Sequence, residues 1–347
     1  MGYYNKITAK KPTVIKLLLP FLAILTYWVY FFTERTLANK NSIPKGYLYD
    51  DVLVLGSGGY LGVAWQAATL HRMERNGEFN SNDLRLIVGT SAGSIVGYAL
   101  ASGVTPEQMV SICLDQPVEY NGKNINSPSI PVDSDISGPS SDSSFAFRKL
   151  KTGHMPRVPT LLTSLLPLGK LDLESLELFI NSINGGNWPE RPLWITATNK
   201  NTGERKVFRE LPDGHLSGAI VSASCSIPAL YKPVTISESE YIDGGAYSAL
   251  NLDLALRVAK KRIVILAPIS GFNKITFGRN LFLTFSHIAT NVQEVSLWKT
   301  IVLAKLRGIE VVVIRPRESE RLLMESGRLM NNHLIPDLVT LTLLLDE

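Results

Sequence analysis

Leu86 to Gly97 reads LIVGTSAGSIVG, and no other stretch limits the possible folds as tightly. A short apolar run breaks into Gly89-Thr90-Ser91-Ala92-Gly93 and resumes at once as an apolar, helix-compatible segment, which predicts strand, tight turn and helix in succession. Glycines on both sides of Ser91 let two backbone segments approach closely, while the turn holds the serine strained and pushes its Oγ out beyond the sheet edge. The first amides of the following helix lack intrahelical acceptors and point at the same spot, so negative charge at Ser91 would be stabilised there. Ser91 is the nucleophile candidate. A Gly/Ser/Ala helix start that merely permits close packing has the same letters, and this stretch alone does not separate the two.

A second glycine cluster lies one crossover unit upstream. Val52 to Leu55 reads as a strand, Gly56-Ser57-Gly58-Gly59-Tyr60-Leu61-Gly62 as a loop, and Ala64 to Arg75 as a helix. Such a loop exposes backbone amides at a helix start and forms an anion site. If the strands at Val52 and Leu86 are parallel neighbours, both loops emerge at one sheet edge, and amides near Gly58 and Gly59 would join that of Ala92 in an oxyanion hole. A dinucleotide fingerprint is the rival reading. It fits poorly, because Leu61 stands at the third glycine position and the next strand ends in GTSAGS instead of an acidic ribose ligand.

Farther on, Thr105-Pro106-Glu107-Gln108 predicts a helix start with a threonine N-cap. Asn121 to Ser144, rich in Ser, Pro, Asp, Asn and Gly, reads as a long mobile loop or insertion. Leu161 to Leu168 is apolar, and an amphipathic helix over Asp172 to Ile183 is expected to be core or a lid beside the site. Leu193 to Thr198 and Lys206 to Phe208 flank a turn and predict paired strands, and Leu216 to Ser224 predicts a small-residue helix. Tyr241-Ile242-Asp243-Gly244-Gly245 then places an aspartate at the end of a short strand. Asp243 serves either as a turn residue or as the acceptor of the Ser91 proton, with Gly244 and Gly245 letting substrate and backbone come close.

In this order, the glycine-rich loop, Gly-Thr-Ser-Ala-Gly at an elbow and Asp-Gly-Gly resemble the patatin-like phospholipase family, in its bacterial branch. The resemblance covers Asp51 to about Ala267. It is supported by Ser222-Ala223-Ser224, Ile227-Pro228, Pro233-Val234 and Asn251-Leu252-Asp253, with Val264 to Pro268, Val311 to Pro316 and a closing helix in the tail. The resemblance implies a three-layer α/β/α sandwich on a mainly parallel sheet, a Ser91/Asp243 dyad without histidine, and an oxyanion loop of Gly58, Gly59 and Ala92 supported by Gly56, Gly62, Gly89, Gly93, Gly244 and Gly245. It implies a lipid ester substrate and neither metal nor organic cofactor. The family loop is usually Gly-Gly-Gly-x-Arg/Lys-Gly; here Ser57 replaces a glycine and Leu61 the basic residue, which weakens the expectation of an anionic head group.

A Ser-Asp-His triad would need His287 or His333 beside Ser91 and Asp243, yet only one strand-helix unit precedes the elbow, against several in that fold. His71, His154 and His215 show no metal-ligand spacing. Cys113 and Cys225 read as ordinary buried thiols. A net charge of +4 without dense basic runs in the main domain argues against nucleic acid. A non-catalytic membrane scaffold or an acyltransferase remain alternatives, and the sequence leaves the oligomeric state open.

Leu17 to Phe32 carries no charge, follows Lys6, Lys10, Lys11 and Lys16, and ends in Tyr27, Trp28, Tyr30, Phe31 and Phe32. Slightly under the roughly 20 residues of a spanning helix, it is expected to be a single-pass anchor with its amino terminus in the cytosol. Secretion after cleavage near Thr36-Leu37-Ala38 is the alternative. The expected organisation is an anchor over 1–37, a linker over 38–50 and an acyl hydrolase domain over 51–347 with an insertion at about 121–145.

Overall fold

The computed structural model describes residues 48–83, 86–131, 169–271, 281–326 and 330–344, the side chains of 82, 281–289, 292 and 326 excepted. The chain divides into Met1–Tyr47 and Leu48–Glu347, and all that follows concerns the second unit. The expected anchor at Leu17 to Phe32, the run Leu161 to Leu168, His154 and most of the expected insertion lie outside the described residues. Among the described residues no helix is long and apolar enough to cross a membrane.

Strand β1 (Tyr49–Leu55) leads into helix α1 (Gly59–Arg75), which returns the chain to β2 (Leu86–Thr90). All five residues of β2 are buried, as expected of a strand covered on both faces. It pairs in parallel with β1, setting Leu53 opposite Ile87 and Leu55 opposite Gly89. Helix α1 is buried at every position from Ala64 to Leu70, Gln66 and Thr69 included, so it is enclosed on all sides and not along a single stripe. It stops where Asn76 N–H still reaches Arg72 O and Gly77 turns to φ +71°, a conformation glycine takes without a Cβ penalty.

Helix α2 (Ala92–Ala101) follows β2 directly. Then come α3 (Pro106–Cys113), whose Thr105, the expected N-cap, forms a capping box with Gln108, and the hairpin β3 (Val118–Tyr120) and β4 (Lys123–Ile125). The start of the stretch expected to be irregular is therefore ordered, and Val118 and Ile125 are paired and buried. The chain continues through α4 (Glu174–Asn184), β5 (Leu193–Asn199), β6 (Arg205–Phe208), α5 (Ser217–Cys225), β7 (Val234–Ile236) and β8 (Ser239–Asp243). It ends with α6 (Leu252–Val258), β9 (Ala259–Leu266), α7 (Leu281–Leu306), β10 (Glu310–Ile314), α8 (Glu318–Ser326) and α9 (Ile335–Leu344).

The sheet order is β10-β9-β1-β2-β5-β8-β7, with β6 also on β5. Five strands from β10 to β5 are parallel, whereas β6, β8 and β7 run antiparallel to their neighbours. The sheet is thus mixed, and "mainly parallel" holds only for the half that carries the crossovers. The short links β5–β6 and β7–β8 leave no room for a crossover helix, so these strands must turn back as hairpins. Helices α1 to α5 and α9 pack among themselves, while α6 and α7 pack on each other and on β1, β9 and β10, the grouping an α/β/α arrangement gives.

The register places the ends that matter. Thr90 at the end of β2 lies opposite Thr196, and the next residue of β5, Ala197, lies opposite Asp243 at the end of β8. Neighbouring strands stand about 4.8 Å apart, so Ser91 and Asp243 face each other across the single strand β5, within side-chain reach.

The elbow depends on missing side chains. A Cβ at Gly93 would lie 2.1 Å from Leu55 O, and one at Gly89 would lie 2.6 Å from Gly93 O. Backbone does not yield to such overlap, so Gly93→Ala is expected to cost about 3 kcal/mol or more. Gly62→Ala, whose Cβ would meet Ala92 at an ordinary 3.5 Å, is expected to cost under about 1 kcal/mol. Urea midpoints of the two variants check this; equal midpoints would contradict the close packing.

Candidate active site

Ser91 sits at the N-cap of α2 with φ 53° and ψ −122°, a backbone region that costs a non-glycine residue energy and that recurs at functional turns. A serine at this position ordinarily caps its helix. Here the side chain makes no capping hydrogen bond, so the hydroxyl is left for other work. The backbone around it is fixed instead: Ser91 N–H donates to Ser224 Oγ (2.9 Å), which itself donates to Thr196 O (2.8 Å). Ser94 Oγ and Ser94 N–H both reach Ser91 O at 2.7 Å.

Asp243 is 5% exposed. Its Oδ1 accepts from Gly245 N–H at 2.6 Å, while its Oδ2 has no hydrogen-bond partner among the described residues. Burial pushes the carboxyl up to about 6, against the downward pull of the Ser91 hydroxyl and then of the Gly245 amide. The hydroxyl is therefore close enough to act on the carboxylate, and no other group among the described residues takes Oδ2. A neutral carboxyl favoured by burial and an ionised one favoured by two donors are the opposing effects, and burial wins.

The two glycine loops meet as expected at the carboxyl edge. Gly56 N–H donates to Leu266 O, and Gly93 N–H donates to Gly56 O, tying the first loop to β9 and to the elbow. Gln66 Nε2 adds hydrogen bonds to Gly56 O and Gly62 O. Gly59 and Ala92 are the first residues of α1 and α2, and both line one pocket with Ser91; their amides have no intrahelical acceptor. Gly58 is not a lining residue. A Cβ there would meet Gly62 Cα at 2.7 Å and Pro268 at 2.8 Å, so this glycine serves the packing of the loop. Gly244 likewise sits against Thr196 O, 2.3 Å from where its Cβ would be, and Gly245 has Asp243 Oδ1 and Ser57 Oγ each at 2.9 Å.

Leu61 differs from its expected bearing on the head group. Its side chain is 0% exposed in the core, so the basic residue of the family loop has no counterpart at the surface here. An arginine at 61 would be buried without a partner. Ser57 is also buried, with its Oγ toward Ala249 O at 3.4 Å.

Three polar supports were not legible as such in the sequence. Ser224 has been described. Asn251, in the left-handed region at φ 47°, donates through Nδ2 to Thr90 Oγ1 and Thr196 Oγ1, both at 3.0 Å. Arg205 Nη1 donates to Asn251 Oδ1 (2.9 Å), and Arg205 pairs with both carboxylate oxygens of Asp253 (2.7 and 2.8 Å). The network clamps the ends of β2 and β5 under the elbow. Asn251 and Asp253 stood out in the sequence only as residues following Asp-Gly-Gly.

No histidine among the described residues lines the pocket or acts on Asp243. His333 is exposed near the carboxyl terminus, and His287 lies in α7, its side chain outside the description. Among the described residues no cluster of His, Cys, Asp and Glu could hold a metal, and Cys113 and Cys225 are free thiols.

The pocket beside Ser91 leaves about 790 Å³ free of protein atoms, counting its open mouth. Its walls come from α1, α2, α3, α4, the segment after β4, the end of α5 with the stretch behind it, and Met330, and are almost wholly apolar, with Val63, Ile95, Ile112, Leu176 and Phe179 among them. Apolar walls with a few convergent polar groups are the usual form of a small-molecule site.

The sequence profile described as Patatin-like phospholipase matches residues 53–256, more than half of the chain, from within β1 to within α6. No sequence among the curated proteins matches. Among solved structures, VipD from Legionella pneumophila is 13% identical with a TM-score of 0.34, the match covering 86% of this chain and 67% of that one. The type III effector ExoU is 14% identical (TM-score 0.32; 85% and 53% covered). Human GIVD cytosolic phospholipase A2, in complex with methyl gamma-linolenyl fluorophosphonate, is 10% identical (TM-score 0.33; 83% and 48% covered). This chain spans about half the length of the latter two, and at these scores the likeness carries no weight for function.

Proposed function

Because the chain belongs to the patatin-like phospholipase family, and so to a family of lipid acyl hydrolases, we propose that Ser91 and Asp243 form its catalytic dyad. The observation that carries this reading is the buried Asp243 carboxylate, held through Oδ1 by the Gly245 amide, unpartnered at Oδ2 and within the influence of the Ser91 hydroxyl. Nothing else among the described residues competes for that oxygen.

In this mechanism Ser91 Oγ attacks the ester carbonyl as its proton passes to Asp243 Oδ2. The tetrahedral oxyanion receives the amides of Gly59 and Ala92, with Gly58 behind them. Each such donor supplies roughly 3 kcal/mol of transition-state stabilisation. Collapse breaks the ester C–O bond, the departing alcohol takes the proton from Asp243, and the acyl group stays on Ser91. Water then attacks the acyl-serine, gives its proton to Asp243 and releases the carboxylic acid, and Ser91 recovers its proton. Lipid esters meet the apolar pocket with their acyl part. The membrane anchor proposed for Leu17 to Phe32 would keep the enzyme beside such substrates, on the strength of its hydropathy and flanking lysines.

Detergent-solubilised protein incubated with a medium-chain aryl ester and with a phospholipid tests the reading. Release of acid from either is the expected result, and the ratio ranks the two substrates. Silence on both from folded protein would leave the fold without the chemistry and favour a scaffold role.

A further inference from the structure

The pocket has a direction and an end. Along α2 its lining residues are Ala92, Ile95, Val96 and Ala99, successive positions on one helix face starting beside Ser91, and none lies beyond Ala99. Helix α3 lines it through Met109, Ile112 and Cys113: Cys113, its last residue, is near enough to Tyr60, next to Gly59, to bear on its hydroxyl, and Met109 stands one helical turn earlier. Val96, Ala99 and Met109 are 0%, 3% and 5% exposed, so the inner end is closed.

Apart from Ser91 and Ser127, the lining side chains offer a polar group little. The Tyr60 and Tyr231 hydroxyls are engaged with Pro128 O (2.6 Å) and Pro131 O (3.0 Å). Burial pushes the Cys113 thiol up to about 12 and raises Cys225 further still, which keeps both neutral. Only hydrocarbon belongs inside. From Ser91 to Ala99 is eight helical residues, about 12 Å at 1.5 Å each. Carbon–carbon bonds of about 1.5 Å advance an extended chain by about 1.3 Å per carbon, so the tunnel holds nine or ten carbons.

We infer that Ala99 and Met109 form the floor of a blind tunnel that selects esters of a single unbranched acyl chain of about ten carbons, leaving the alcohol part outside. The inference rests on the Ser91 reading above, since Ser91 sets the zero of the length scale. Ala99 is small where the tunnel ends, so adding bulk there shortens it, and truncating Met109 lengthens it.

The test uses the full-length protein in mixed micelles with p-nitrophenyl esters of 4, 8, 10, 12 and 16 carbons. In wild type, kcat/KM is expected to rise by up to about fourfold per added carbon to a maximum near ten and to fall beyond it. In Ala99→Leu the ratio of kcat/KM for the ten-carbon over the four-carbon ester should drop at least tenfold. Met109→Ala should move the maximum to a longer chain, and it decides the matter if the leucine variant is not recovered folded. Activity that keeps rising through sixteen carbons, or a length profile that Met109→Ala leaves unchanged, overturns the tunnel while leaving the hydrolase standing. Failure of wild type on every ester removes the hydrolase reading and this inference with it.

Discussion

Ser91→Ala is expected to lower kcat for ester hydrolysis by a factor of about 10⁴ to 10⁶ while leaving the thermal midpoint within a few degrees of wild type. The loss is large because a missing nucleophile removes the covalent route itself, leaving only what the oxyanion amides and the pocket contribute. The fold should not notice. The hydroxyl does not cap α2, and the elbow is held through backbone atoms by Ser224, Ser94 and Gly56. Initial rates beside a melting curve check both halves, and a variant that hydrolyses ester at more than a hundredth of the wild-type rate would remove Ser91 from the mechanism.

Asp243→Asn has the second large effect, and its two consequences have opposite signs. Asparagine fills the same space and keeps an acceptor for the Gly245 amide, but it takes no proton from Ser91, so kcat should fall by about 10³ or more. In wild type the base works only when ionised, so kcat/KM is expected to rise with pH through about 6 and level off above it. Stability runs the other way. The folded carboxyl holds its proton to about 6, against an unfolded value near 3.9, so its contribution is fully present below about 4 and is lost as pH rises through 6. At pH 8 the fold therefore carries a buried charge that asparagine lacks, and the variant should be more stable there by on the order of 1–3 kcal/mol. At pH 4 the difference should vanish. Urea titrations at the two pH values read this directly. A variant less stable than wild type at pH 8 would mean that the carboxylate is held by partners that outweigh its burial.

This cost explains something about the fold. A buried, half-satisfied carboxylate beside a serine at φ 53° is a poor choice for stability and a sensible one for proton transfer, since both features would relax if either residue were ordinary. The surrounding network of Thr90, Thr196, Asn251, Arg205 and Asp253 is, by contrast, well paired, and it holds the strand ends against that strain.

Local chemistry made Ser91 and Asp243 legible in the sequence. Two glycines four residues apart with a serine midway between them, and two glycines behind an aspartate, describe turns that need no knowledge of distant chain. The parallel pairing of β1 and β2 was legible for the same reason, because a short crossover leaves few alternatives. What joins the two candidates was not. It depends on β5 lying between β2 and β8, with β8 antiparallel, and strand order is a property of the whole sheet. Ser224 reaches Ser91 across 133 residues and Asn251 reaches Thr90 across 161, distances at which no local pattern points from one to the other. Gly58 carries the same letter as Gly59, and only packing against Gly62 and Pro268 separates their roles. The β3–β4 hairpin was hidden by the polar composition that follows it, although Val118 and Ile125 are its buried pair.

The central claim is that Ser91 carries the acyl group with Asp243 as its base, and covalent labelling tests it most directly. Wild type and Asp243→Asn are treated at pH 8 with an alkyl fluorophosphonate, and the modified peptide is identified by mass. One label per chain on Ser91 in wild type, formed at least a hundred times more slowly in Asp243→Asn, is the predicted result. Label on another residue, or labelling of Ser91 at the same rate in both proteins, would contradict the dyad.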